Sequence, residues 1–306
     1  MKIWDGNMVF GKFAQKDWSR KLLRIHQKMK YISHPAIHKQ SGILLTESCE
    51  GTPIIWQNRL LFVNFQREGA GGMAVKVVDY FTGEVLKTAS WIYGLGCALV
   101  EHNQIHVFGT SNWDHRNAVF KAVLDEQFQP TETVKIWEAS ENQVIFNTSV
   151  CPGKDGFVMA YEVREPNVKN FSIRFLTSAD LMQWRPVGIL YRPDIYAAGP
   201  TIRYCEGYYY IIYLQEDTAY VECISRTQDF LTFEEYKGTE KLGSDVRVLS
   251  PKGHLAECTN NSDIDLVEFN NMVYMVYTDG DQRHWSNVRR AVYCGTMKQF
   301  FGEFWD

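Results

Sequence analysis

One pattern recurs five times along this chain and constrains its fold more than anything else in the sequence. An apolar, strand-like run enters a short polar turn, and a second, aromatic-rich run leaves it. The copies are residues 50–56 into 60–63, 97–100 into 105–108, 150–151 into 157–161, 200–204 into 208–213, and 263–267 into 273–277. Their turns carry Asn58, Asn103, Gly156, Gly207 and Asn271, residues that tolerate the left-handed backbone of a tight turn. Successive turns lie roughly 45–65 residues apart, the length of a four-stranded blade with its connection. Further strand-like runs follow, at 172–177 before 178–184, at 220–225 before 227–233 and at 75–79 before 81–85. Helical patterning is confined to a basic stretch near residues 18–29 and a short closing segment at 297–304. A β-sandwich also has short strands, but not this ordered repeat. The reading is an all-β, five-bladed β-propeller forming one domain over residues 1–306, with residues 1–46 packing on it.

Composition narrows the function. The 306 residues carry a net charge of -4 with 22% charged residues, and no block of like charge advertises nucleic acid or an anionic membrane. No stretch approaches the ~18 apolar residues of a membrane span. No apolar segment follows Met1-Lys2-Ile3, so the chain reads as cytosolic or as trimmed of a secretion signal. Seven cysteines, an odd number without C-x-x-C spacing, read as reduced thiols rather than a disulfide framework or a zinc site. No metal or other cofactor is expected. The 14% aromatic content suits either a β core or stacking on a neutral, ring-shaped ligand.

Residues 178–184, with Ser178, Asp180, Leu181 and Trp184, match an S-x-D-L-x-x-W motif, and residues 227–233 are a weaker copy. In these residues the chain resembles the five-bladed glycoside hydrolases of the arabinanase, β-xylosidase, invertase and levansucrase superfamily (families 43, 32 and relatives). Residues 262–269 and 280–282, with Phe300 and Phe301, resemble an uncharacterised glycosidase-like branch. The resemblance covers most of the chain from about Glu47 onward. It implies carbohydrate chemistry at the mouth of a central channel. The family's catalytic trio does not transfer: there is no W-x-N-D-P, no R-D-P, and no Asp-Pro opening the first or second blade.

Candidate residues follow from position. Counting eight back from each turn residue gives Glu50, Leu95, Thr148, Gly199 and Asp263 at the mouth ends of the channel strands. Only Glu50 and Asp263 are acids, and in a closed ring the first and last blades are neighbours. Two facing carboxyls, one protonated and one ionised, are what glycosidic cleavage needs. The competing reading makes them turn or cap residues held by backbone N–H groups. Asp265 has the same facing one step deeper, as a sugar-binding group or as one that tunes Asp263. Glu257 and Asp194, on connections flanked by apolar residues, are candidate assisting acids; Glu47 and Glu141 also fall on connections.

Two loops after channel-side strands combine Trp, His, Asp and Arg: residues 111–116, with Trp113, Asp114 and His115, and residues 279–285, with Arg283 and Trp285. Their composition suits sugar stacking and hydroxyl binding. Simple propeller geometry, however, puts them at the far end of the channel, as structural or interfacial loops. The expected function is hydrolysis of O-glycosidic bonds in an oligosaccharide or glycoconjugate. The alternatives are a non-catalytic carbohydrate-binding or scaffold propeller, and a polysaccharide lyase on the same fold with His34, His38 or Tyr196 as base.

Overall fold

A computed structural model describes residues 30–305 apart from 69–71, 92, 111–116, 169, 170, 217, 218, 254, 256 and 282. The basic stretch at 18–29 and the candidates Trp113, Asp114 and His115 lie outside the described residues.

The described residues are all-β but for one helix. Three short strands come first: β1 (Ile32–Ser33), β2 (His38–Lys39) and β3 (Leu45–Thr46). A four-stranded antiparallel sheet follows from β4 (Gly51–Trp56), β5 (Arg59–Glu68), β6 (Gly72–Asp79) and β7 (Val85–Trp91). The next is β8 (Gly96–Glu101), β9 (Gln104–Thr110), β10 (Ala118–Leu124) and β11 (Val134–Glu138). A third is β12 (Val144–Gly153), β13 (Gly156–Arg164), β14 (Ser172–Ser178) and β15 (Arg185–Tyr191). Then come β16 (Ala197–Cys205), β17 (Tyr208–Glu216), β18 (Tyr220–Thr227), β19 (Glu234–Glu235) and the short β20 (Val246–Arg247), which pairs with β1. The last group is β21 (Asn260–Phe269), β22 (Met272–Gly280) and β23 (Ser286–Tyr293), closed by helix α1 (Met297–Trp305). The groups β16–β19 and β21–β23 touch in one parallel pair, Tyr220 with Asn260. The N-terminal strands β2 and β3 add to the outer edge of β23.

The first strands of the five groups are neighbours in a cycle, β4 to β8 to β12 to β16 to β21 and back to β4. Small polar side chains tie each to the next. Thr52 Oγ1 accepts from the Ala98 amide (3.1 Å), and Cys97 Sγ meets Thr148 Oγ1 (3.6 Å). Ser149 Oγ accepts from the Ile202 amide (3.1 Å), and Thr201 Oγ1 donates to the Ile264 carbonyl (2.6 Å). The Glu50 amide donates to Thr278 Oγ1 on β22 (3.4 Å), completing the circuit. Hydroxyls suit this place because each buried amide or carbonyl needs a hydrogen-bond partner. Apolar clusters fill the wedges between sheets; one packs Phe300, Phe301 and Phe304 of α1 against Tyr210, Ile264 and Met275.

Turn chemistry explains the motifs. Asn58, Asn103 and Asn271 all have positive φ, between 58° and 61°. Asp180 accepts the amides of Met182 and Gln183, both at 2.8 Å, while Trp184 is buried. Asp229 does the same for Leu231 and Thr232. The S-x-D-L-x-x-W signature is therefore a self-capping turn between outer strands, not part of a reactive site.

Candidate active site

A pocket of about 590 Å³ opens where the first strands begin. Its walls include four acids, Glu47, Glu50, Glu162 and Asp263, and two arginines, Arg67 and Arg283. Below it a narrow continuation of about 30 Å³ is lined by Thr52, Cys97, Thr148, Thr201 and Asp265.

Backbone strain puts the acids there. Glu50 and Asp263 have φ of 52° and 53°, and Gly199, at the matching place in β16, has 52°. Non-glycine residues adopt this left-handed region only where their surroundings hold them. In β21 the register skips between Ser262 and Asp265, and in β16 between Ala198 and Thr201, so Asp263 and Gly199 open β-bulges. A bulge re-aims a side chain that regular pleating would send elsewhere. Glu50 is held from behind by the fully buried Asn64, whose Nδ2 donates to the carbonyls of Cys49 (2.7 Å) and Glu50 (2.5 Å). Ser262 Oγ donates to Asp263 Oδ2 at 2.5 Å. Around the same pocket Phe146, Phe171 and Tyr196 form an edge-to-face series, with centroids 4.9 and 5.2 Å apart.

All three inner carboxyls are pushed towards the protonated form. Burial holds Glu50 well above the usual carboxylate range, and the charge of Asp263 adds to it against the pull of Arg67. Asp263 is raised by burial, opposed by hydrogen bonds from Ser262 and Thr278 and by Arg67. Glu162 is pushed up to about 7, mainly by burial, although the amide of Gly199 (2.8 Å) and Asn147 Nδ2 (3.1 Å) both donate to its Oε2. A pocket that gathers several buried carboxyls of raised pKa can hold a proton on one and accept a proton on another.

The geometry redistributes the other expected residues. The loop with Arg283 and Trp285 lies not at the far end but at this mouth, where Arg283, His284 and Trp285 line the pocket. The second strand runs antiparallel to the first, so the loop after it returns to where the first began; Gly280 pairs with Asn260. In the third sheet the hairpin turn is Lys154–Asp155, closed by Gly153 and Gly156, so counting from Gly156 lands one residue late. Asn147, not Thr148, holds the mouth position; Thr148 is buried in the narrow continuation. Asp265 is also in that continuation, where Arg203 Nη2 and the Leu266 amide (2.6 Å) engage its Oδ1. Glu257 and Asp194 are exposed and do not line the pocket, because their connections turn outward before the strands begin. His34 is buried against Phe304 and His38 lies on β2 at the outer edge, so neither reaches the pocket. Tyr196 does, but burial and the nearby Glu162 raise its phenol, which leaves it a poor base.

Glu162 was not anticipated. It sits on a second strand, in an alternating run with nothing local to mark it. Its face of β13 is shared with Val158 and Ala160, which pack towards the fourth sheet.

Neither a family model nor a curated protein matches the sequence. Solved structures match in fold. A thermostable family-43 glycoside hydrolase superposes with a TM-score of 0.62 at 13% identity, over 83% of this chain and 91% of that one. An α-L-arabinofuranosidase from Lactobacillus brevis gives 0.59 at 10% identity, over 83% and 94%. A family-32 β-fructofuranosidase from Bombyx mori, determined with sucrose, gives 0.54 at 10% identity, over 90% and 68%. The chain thus has the fold of the glycoside hydrolases of families 43 and 32.

Proposed function

We propose that this chain is a single-domain, five-bladed β-propeller glycoside hydrolase acting on an oligosaccharide or glycoconjugate. The observation that carries the reading is the convergence of Glu50, Glu162 and Asp263 on one pocket, each with a raised carboxyl pKa. Glu50, driven up by burial and by its acidic neighbour, keeps its proton and passes it to the glycosidic oxygen as the C1–O bond breaks. Asp263, raised by burial but opposed by hydrogen bonds from Ser262 and Thr278 and by Arg67, takes the proton of the attacking water or, once ionised, itself bonds to C1. Glu162 assists by holding charge beside the pair. The aromatic series and Trp285 offer faces for sugar rings. Seven free cysteines fit a reducing, cytosolic setting.

A panel of aryl glycosides and of plant and bacterial oligosaccharides tests the activity. On any substrate found, Glu50→Gln and Asp263→Asn should each lower turnover by ~10² or more with little change in melting temperature. Near-normal turnover in either variant removes that residue from the mechanism. Sugar binding without turnover across the panel would favour the non-catalytic alternative.

A further inference from the structure

Glu222 is a fully buried acid with no part in the reaction just described. It lies on β18, on the strand face it shares with Ile224. Ile224 packs into the cluster of Val248, Leu249 and Ile264. A carboxyl in such a place is costly unless it is hydrogen-bonded, and a valine would fill the strand without that cost.

What Glu222 meets is the backbone of the next strand. The parallel pair Tyr220 with Asn260 sets Glu222 level with Ser262 and the bulge that follows it. Its Oε1 accepts from the Ile264 amide at 3.3 Å, and the Asp263 amide also reaches the carboxyl. The same device recurs one sheet earlier, where Glu162 accepts the amide of Gly199 at the matching bulge. In both, a buried carboxyl from one sheet holds a left-handed residue at the opening of the next, with φ of 52° at Gly199 and 53° at Asp263. Gly199 has no Cβ to strain; Asp263 does, and needs to be held.

We infer that Glu222 is a positioning residue whose buried carboxyl clamps the Asp263–Ile264 bulge and so aims the Asp263 carboxylate into the pocket. The inference rests on the reading of Asp263 as a reacting carboxylate. Its action is to accept N–H groups, so a glutamine can replace it and an apolar residue cannot.

The test compares Glu222→Leu, Glu222→Gln and Asp263→Asn on a substrate found with the panel. Glu222→Leu should lower kcat roughly 10- to 100-fold, the scale of an ångström-size misplacement, with KM little changed. Glu222→Gln should recover most of that loss. Wild-type kcat in folded Glu222→Leu, with Asp263→Asn inactive, overturns the positioning role alone. Full activity in Asp263→Asn instead overturns the reading of Asp263, and this inference with it. If Glu222→Leu does not fold, amide exchange in Glu222→Gln decides. An Ile264 amide as protected as in wild type supports the clamp, and one exposed to fast exchange overturns it.

Discussion

The Glu162 carboxylate on β13 accepts the amide hydrogen of Gly199 on β16, with 2.8 Å between Oε2 and nitrogen. This bond links the second strand of one sheet to the first strand of the next, at the point where the fourth sheet's bulge begins. It also places an acid of raised pKa beside the pocket that holds Glu50 and Asp263.

Glu162 makes stability depend on pH. Its folded pKa is about 7 against an ordinary 4.5, so between those values the folded chain keeps a proton that the unfolded chain has released. Its contribution is complete below about 4.5 and lost as pH rises through about 7. The full swing is on the order of 3 kcal/mol. Urea unfolding across this range should show a shallower decline in Glu162→Gln than in wild type. Identical slopes would mean that the group is ionised in both states.

Gly199→Ala should damage both stability and turnover. An added Cβ would stand 2.9 Å from Asp263 Oδ1, at a φ of 52° that alanine adopts only with strain. A loss of about 1 kcal/mol or more is expected, together with lower kcat as Asp263 is displaced. Melting curves and kinetics on one preparation check this. A variant equal to wild type in both would show that the bulge has room to spare.

The buried Asp265 and the part-buried Arg203 form an ion pair beneath the pocket. Arg203→Met should strand the Asp265 carboxylate and cost about 3–5 kcal/mol. The double variant Arg203→Met, Asp265→Leu should recover much of that loss. Denaturant midpoints of the three proteins measure it; a double variant no better than the single one would refute the pairing argument.

Trp285 lines the pocket and is placed to stack on a sugar ring. Titration with a bound sugar should change the intrinsic fluorescence of wild type, and Trp285→Ala should lose that change and bind roughly 10-fold more weakly. An unaltered titration would assign the ring to packing.

The repeated hairpins were legible because their signals are local. Alternating apolar residues and left-handed turn residues such as Asn58 and Asn271 act within a few positions of each other. Counting back from those turns reached Glu50 and Asp263 because both stand at the same offset from their hairpins. It missed Asn147 by one residue, because the third hairpin places its glycine after the turn rather than in it.

What the sequence determined by itself, then, was strand alternation, turn chemistry and the presence of acids at two matched strand openings. Tertiary structure decided which side chains share the pocket. Glu162 reaches it only because a neighbouring sheet packs against that face of β13, and Arg283 and Trp285 only because antiparallel pairing brings Gly280 back to Asn260. Glu222 looks like any polar strand residue until the parallel contact of Tyr220 with Asn260 sets it beneath Asp263. Strand periodicity is a property of neighbours along the chain, whereas a shared pocket depends on register between strands far apart in sequence, which no local pattern encodes.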